Sequence, residues 1–219
     1  MEAVVLTILF FVLAGVGVGV FWFSKDQQGK RRLQSSESTP IADAPEGALV
    51  KVTGRLALAD VPELEAPLTS RRCVGYVIEV KERTRSGANS NWVTLVTKED
   101  AVAFVVEDAT GKALVRASGA HLVLVRDGHL RSGSMSDHSE RAHAFLMAHG
   151  TPSENALWTK KALRYEEGVL EPGEEVSVLG VARWESIPEA MRHADQDASS
   201  RWLTFGATSE HPLTISDDP

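Results

Sequence analysis

The stretch RYEEGVLEPGEEVSVLG, residues 164–180, contains the clearest structural pattern in the chain. Its first half ends at Pro172-Gly173, a pair typical of tight turns because proline fixes φ and glycine accepts a positive φ. In its second half, Val176 and Val178 are two residues apart and therefore share one face of a strand. We predict two strands joined by a turn, with these valines facing the core and Leu179 on the opposite face.

On both sides of this stretch, short runs rich in branched and aromatic residues alternate with polar turns. The turn Asp108-Ala109-Thr110-Gly111 is typical of a hairpin and places its glycine where a positive φ is expected. Residues 139–148 have helical spacing. This pattern predicts a mainly β fold with one or two short helices, arranged as a small barrel-like or curled sheet. Further predicted strands cover residues 49–56, 73–80, 92–96, 103–107, 113–116, 122–125, 202–205 and 212–215, the last two as a closing pair.

The N-terminal run Ala3–Phe23 contains no charged residue. A hydrocarbon core about 30 Å thick needs roughly 20 apolar residues in a helix, and this run is long enough. A cleaved signal peptide is the alternative, but Met1-Glu2 carries no basic side chain and the run ends in the interfacial cluster Phe21-Trp22-Phe23. We predict that one transmembrane helix precedes the β-rich domain and that residues 1–24 form the membrane anchor.

The residues after the apolar run indicate its orientation. Four basic residues follow it and none precedes it, so the positive-inside rule places the C-terminal side in the cytoplasm. A single cysteine in the chain excludes an intrachain disulfide and suits a reducing compartment. The basic residues are Lys25, Lys30, Arg31 and Arg32.

Composition divides the rest of the chain into a linker and a domain. Residues 25–46 are rich in serine, glutamine, proline and charge, so we predict a polar basic linker without packed structure. Residues 47–216 are predicted to form one soluble β-rich domain. The chain carries −7 and residues 1–32 hold four basic and two acidic side chains, so residues 33–219 carry −9. Such a domain repels nucleic acid unless it holds a local basic patch.

Three motifs, in order along the chain, resemble those of the GIDE domain, also called the beside-a-membrane domain. They are Ala66-Pro67-Leu68-Thr69-Ser70-Arg71-Arg72-Cys73-Val74-Gly75-Tyr76, the hairpin at residues 108–111, and the stretch at residues 164–180. The resemblance extends over about residues 48–216. The family includes mitochondrial ubiquitin-protein ligases and many bacterial membrane proteins, so the resemblance implies a domain held beside a membrane.

The ligase members of that family carry two transmembrane helices and a C-terminal RING. A RING needs about eight cysteine and histidine ligands around two zinc ions, and these 219 residues contain one cysteine. The resemblance therefore implies the shared domain without the catalytic module. We predict a non-catalytic binding or scaffold module at the cytoplasmic membrane face. The alternatives are a component of a ubiquitin-protein ligase-like system and an unrecognised hydrolase.

The candidate binding surface is basic and aromatic. Such a groove on a small β domain is typical of peptide or acidic-partner binding, and the alternative is a solvated strand edge that arginine protects from aggregation. The residues are Arg71, Arg72, Arg83, Tyr76 and Trp92. Cys73 is included as a candidate thiol, because neighbouring arginines would lower the pKa of an exposed cysteine; the alternative is a buried small hydrophobe.

No residue pattern predicts a catalytic centre, a metal site or a cofactor. The seven histidines lack the partners of a tetrahedral zinc site, and no Gly-x-Ser-x-Gly turn is present. Five glutamates between residues 166 and 175 could bind a metal or a partner, and a solvated turn is the alternative. In the anchor, Gly15 and Gly19 form a step that favours close helix packing and a homodimer. The expected partners are the membrane and an unidentified protein or peptide, not nucleic acid.

Overall fold

The computed structural model describes residues 27–86, 89–131, 137–148, 162–186, 201–208 and 210–218. The predicted anchor at residues 3–23, including Gly15 and Gly19, lies outside these ranges. Within them, no helix has the length and apolar character that crossing a membrane requires.

The described residues are mainly β, with short helices beside two open sheets and a two-stranded ribbon that pairs Leu64–Glu65 with Arg72–Cys73. The helices are α1 (residues 27–35), a 3-10 turn at Ile41–Asp43, and α2 (Asp137–Ala148). The strands are β1 (Leu49–Leu58), β2 (Leu64–Glu65), β3 (Arg72–Cys73), β4 (Gly75–Ser86), β5 (Asn89–Ala101), β6 (Phe104–Glu107), β7 (Lys112–Arg116), β8 (His121–Val123), β9 (Gly128–Arg131), β10 (Leu163–Leu170), β11 (Glu175–Val181), β12 (Arg183–Ser186), β13 (Arg201–Gly206) and β14 (Thr214–Ser216).

The larger sheet has eight strands in the order β12-β13-β7-β6-β1-β11-β14-β8. β13 and β14, predicted as a closing pair, do not pair with each other. Instead β13 lies parallel to β7, and β14 lies parallel to β8. The prediction was wrong because parallel pairing joins strands that are distant along the chain, and no local turn signal specifies it.

The larger sheet curls over one apolar core but does not close. Gly180 on β11 approaches Phe205 on β13, although three strands separate β11 from β13 in the sheet, and a Cβ at Gly180 would lie 3.1 Å from the Phe205 ring. Phe104, Val178 and Ile215 are fully buried in this core. The predicted curled sheet is therefore present, whereas β8 and β12 remain as separate edges of an open sheet.

β10 and β11 are joined by the predicted turn, but each pairs in a different sheet and not with the other. Gly173 has a φ of 93°, and Val176 and Val178 are buried in the main core. Leu179 lies on the other face, where it packs against Leu33 and Val123. Both faces of β11 are therefore covered.

The β6–β7 hairpin is also present, but Gly111 does not have the predicted positive φ. The Asp108 carboxylate organises the turn instead. Its Oδ1 accepts hydrogen bonds from the backbone N–H groups of Thr110 and Gly111, 2.6 and 2.8 Å away. Aspartate commonly stabilises turns in this way. Burial alone would raise the pKa of Asp108, but hydrogen bonds from the Thr110 hydroxyl, the N–H of Ile41 and the two turn N–H groups outweigh burial and lower the pKa.

The segment predicted as an unpacked linker contacts the domain along much of its length. Residues 27–35 are helical, and Leu33 of this helix is buried against β8 and β11. Ile41 and Ala44 are buried in the main core. The prediction was wrong because three apolar residues dispersed among polar ones are enough to attach the segment to the sheet.

The smaller sheet has four strands in the order β5-β4-β10-β9. α2 packs on one face of it through Ala142, Phe145 and Leu146, the residues whose spacing predicted this helix. The long β4–β5 hairpin dominates the sheet, with a bulge opposite the step from Val80 to Lys81. On the face away from α2, Val77 belongs to the main core, so the base of the hairpin is anchored there.

Candidate functional site

The base of the smaller sheet contains a buried carboxylate. The Glu167 side chain is 0% exposed, and its oxygens accept hydrogen bonds from three donors of one loop. These are the N–H of Leu68 at 2.8 Å, the N–H of Thr69 at 3.1 Å and the hydroxyl of Thr69 at 2.6 Å. The loop also contains Ser70, a non-glycine residue with a φ of 55°. Glu167 therefore holds the segment that leads into Arg71.

Arg71 is engaged in an ion-pair network beside this loop. Its two terminal nitrogens each donate to the Asp127 carboxylate at 2.8 Å, and one also contacts Glu171 at 3.1 Å. The hydrogen bond from Arg71 holds the pKa of Asp127 below its ordinary value. The residues Thr69, Arg71, Asp127, Glu167 and Glu171 are named the base cluster.

Cys73, next to the base cluster, is a buried small residue. It is 0% exposed, and burial, followed by the nearby charge of Glu167, raises the pKa of its thiol to about 11. The raised pKa is opposite to what a reactive cysteine requires. Arg72 points to solvent from β3, and Tyr76 is half-buried, with its pKa raised by burial.

The structure separates the predicted binding surface into two parts. Tyr76 pairs with Asp100 near the base of the hairpin, whereas Trp92 pairs with Arg83 seven residues further along β4. Seven residues of strand span about 23 Å. Arg71, Arg72, Cys73 and Tyr76 therefore lie together at the base, and Trp92 lies with Arg83 at the other end.

The second part lies near the tip of the β4–β5 hairpin and is exposed. Trp92 is 41% exposed, and the guanidinium carbon of Arg164 lies 5.5 Å from the centroid of its ring. This distance allows a cation–π interaction. Arg83, on the same face, donates to the Ser90 hydroxyl at 3.0 Å. Arg83, Trp92 and Arg164 are named the tip patch.

An ion-pair set borders the tip patch. Lys81 contacts Glu166 at 2.7 Å and Glu79 at 3.0 Å, and Arg164 contacts Glu166 at 3.4 Å. Burial disfavours the charged form of Lys81, but its hydrogen bonds to the two glutamates outweigh burial and raise its pKa. The charges of this set are paired with one another, whereas Trp92 and Arg83 on the same face are exposed to solvent.

A family model described as GIDE: E3 Ubiquitin ligase matches residues 76–196, which is more than half of the chain. The chain belongs to the GIDE family. The match begins at Tyr76 and includes the tip patch, Asp127, Glu167 and Glu171. No curated protein and no solved structure matches the chain.

Sequence reasoning did not identify several site residues of this GIDE chain. Glu167 was placed in a solvated acidic cluster, but it shares a strand face with the buried residues Leu163, Tyr165 and Val169. That alternation was the available signal. The glutamates of the cluster have separate partners, and Glu174, for example, accepts from the N–H of Glu171 at 2.8 Å. In the described part of the chain, no three His, Cys, Asp or Glu side chains converge as metal ligands would.

Proposed function

We propose that this GIDE chain is a non-catalytic binding or scaffold module that is attached to a membrane and binds an acidic segment of a partner protein through the tip patch. The observation that carries the proposal is the exposed Trp92 ring beneath Arg164, with Arg83 adjacent. Aromatic and arginine side chains are the usual anchors of protein interfaces. No other large aromatic side chain of the described residues is exposed.

Charge supports an acidic ligand. Around the tip patch, Lys81, Arg83 and Arg164 lie near Glu79 and Glu166, whereas residues 33–219 carry −9 overall. A local excess of positive charge favours ligands of negative charge at the tip patch. The negative charge of the rest of the domain repels such ligands from other parts of the surface. A carboxylate could pair with Arg83 while an apolar group of the ligand covers Trp92.

The membrane attachment rests on the apolar run at residues 3–23, and the cytoplasmic side rests on the basic residues that follow it. Replacing Leu13 with arginine should cost on the order of 2.5–3.5 kcal/mol of insertion free energy and release the chain from carbonate-washed membranes. Protease added outside intact cells or vesicles should leave residues 33–219 uncut. Digestion of these residues would reverse the orientation.

The binding proposal is tested with a fluorescein-labelled peptide of alternating glutamate and valine, and with a matched peptide in which glutamine replaces glutamate. Fluorescence anisotropy with the full chain should show that the glutamate peptide binds at low salt and that the glutamine peptide binds only weakly. Trp92→Ala and Arg83→Glu should each weaken binding about tenfold, a loss of about 1.4 kcal/mol. Arg72→Ala, which removes an exposed arginine at the base, is the control and should bind as the wild type does. Equal binding by all four proteins would exclude the tip patch.

The description of the family favours one alternative, a component of a ubiquitin-ligase-like system. One cysteine cannot supply the ligands of a RING, so these 219 residues do not contain that catalytic module. In a reconstituted ubiquitin transfer assay, the chain alone should be inactive. Stimulation of a separate RING protein by the wild-type chain would favour this alternative over a plain scaffold.

A further inference from the structure

The helix α1 is docked on the larger sheet at its β8 edge, on the face away from the main core. Leu33 packs against Val123 of β8 and Leu179 of β11. A Cβ at Gly29 would lie 3.1 Å from the His121 ring and 3.1 Å from Val123, so the helix approaches β8 closely. Gly29 and Leu33 are four residues apart and share one face of the helix. The sheet covers that face.

The opposite face of α1 is basic. Successive residues of an α-helix are turned by about 100°, so Arg31 points away from the sheet, and Lys30 and Arg32 point to either side of it. Arg31 and Arg32 are exposed, and Lys30 is partly exposed. The ion pairs found among the described residues involve other basic side chains. These three charges are therefore available to a partner.

The basic face of α1 is close to the predicted anchor in an otherwise acidic chain. Residues 24–26 alone separate the apolar run from α1, so Gln27 lies within about 14 Å of Phe23. A negatively charged surface repels a domain that carries −9 over residues 33–219. It attracts the exposed lysine and arginine side chains of α1, whose long stems extend their reach.

We propose that the basic face of α1, formed by Lys30, Arg31 and Arg32, binds the anionic phospholipid headgroups of the membrane that holds the anchor. This inference rests on the membrane attachment proposed above and does not depend on ligand binding at the tip patch. Lipid phosphates and carboxylates accept charge-assisted hydrogen bonds from arginine, often two at once. Because α1 is docked on the sheet, its contact with lipid also holds the β8 edge beside the bilayer.

The alternative is that these residues only fix the orientation of the anchor when it inserts. Orientation depends on how many basic residues lie near the anchor, not on which helix face carries them. Headgroup binding by a docked helix does depend on the face. Arg31, opposite the docked side, should therefore contribute more than Lys30 or Arg32, whereas in an unpacked segment the three would contribute equally.

Energy transfer to labelled lipids tests the proposal with the full chain in vesicles of phosphatidylcholine and phosphatidylserine. The donor is attached at Gln34→Cys, an exposed position of α1, and the wild type controls for labelling of the buried Cys73. The acceptor is a tracer lipid with either a serine or a choline headgroup. The serine tracer should be enriched around α1, about fivefold for each charge in contact. Added salt should reduce the enrichment.

Substitutions in α1 identify the face that binds. Arg31→Gln should reduce the enrichment of the serine tracer about fivefold, and Lys30→Gln or Arg32→Gln should reduce it less. Arg183→Gln on β12, at the opposite edge of the larger sheet, is the control and should leave it unchanged.

Three results would overturn the proposal. They are equal losses in the three single variants, an enrichment that survives replacement of all three residues by glutamine, and a wild type that floats with the vesicles but enriches neither tracer. Flotation after a carbonate wash separates these results from failure of the membrane attachment. A chain that does not float with the vesicles would refute the attachment itself and, with it, this inference.

Discussion

The base and the tip of the β4–β5 hairpin have similar residue types in opposite situations. At the base, Arg71 and Tyr76 are tied to carboxylates or packed among apolar side chains. At the tip, Arg83 and Trp92 are exposed on a face that starts, at Val77, inside the main core. An arginine and an aromatic residue close together therefore do not by themselves make a binding surface. What decides is whether the fold already provides them with partners.

The largest expected effect on stability is at Glu167, because its carboxylate holds together the loop at the base of the smaller sheet. Glu167→Ala removes the acceptor of one buried and two partly buried donors, so we expect the free energy of unfolding to fall by about 3–5 kcal/mol. The nearby variant Glu175→Gln, at the exposed start of β11, should lose less than about 0.5 kcal/mol. Urea melts of both variants measure the difference. Equal midpoints would mean that the base is no more structural than this exposed position.

The reactivity of Cys73 reports on the same region. With the pKa of its thiol raised to about 11, the folded protein should contain roughly one thiolate in a thousand at pH 8. Alkylation by iodoacetamide should therefore be at least about a hundredfold slower in the native state than in urea. The unfolded thiol loses its proton first, so this group lowers stability as the pH rises from about 8.5 toward 11. Rapid alkylation of Cys73 in the native protein at pH 8 would contradict its burial at the base of the smaller sheet.

Arg71 should contribute less than Glu167, because its partners are partly exposed. Arg71→Ala should reduce the free energy of unfolding by about 1 kcal/mol at pH 7, and Arg72→Ala by less than about 0.5 kcal/mol. The lowered pKa of Asp127 makes the effect of Arg71→Ala pH-dependent. The stabilisation by the Arg71–Asp127 ion pair is complete above the unfolded pKa of aspartate, about 3.9, and is lost as the pH falls through the pKa of Asp127 in the folded protein. A cost of Arg71→Ala that does not shrink between pH 5 and pH 2 would refute the ion-pair explanation.

The smallest effect on stability is expected at the tip patch. Trp92→Ala removes a half-exposed ring whose main contact is Arg164, so the free energy of unfolding should change by less than about 1 kcal/mol. Thermal melts of this variant should show little change, whereas the peptide-binding assay should show a clear loss of binding. A large loss of stability would place Trp92 with the base residues and remove the contrast between the two ends.

The sequence predicted local features better than pairings. The alternation around Val178, the turn at Gly173 and the apolar spacing of α2 each depend on neighbouring residues, and the structure confirms them. The parallel partners of β13 and β14 come from distant parts of the chain, and no local pattern specifies them. The curl of the larger sheet was predicted, but its failure to close was not.

The sequence predicted which residue types form the candidate site, but not which of them lie next to each other. Arg83 and Trp92 were named, but Arg164 was not, because the strand register that brings it over the ring could not be read from spacing. Asp127 was missed for the same reason, since its partner Arg71 is distant in sequence. The buried position of Glu167 was accessible from the alternation of β10 but was outweighed by the neighbouring acidic residues.

The docking of α1 and the following turn limits how far the domain can search for partners. A flexible segment with the length of residues 25–46 would have an end-to-end distance of about 26 Å and would let the domain sample many orientations. Leu33, Ile41 and Ala44 instead attach this segment to the sheet. The domain therefore keeps one orientation relative to α1, and the partner that we propose for the tip patch would have to approach from the matching direction.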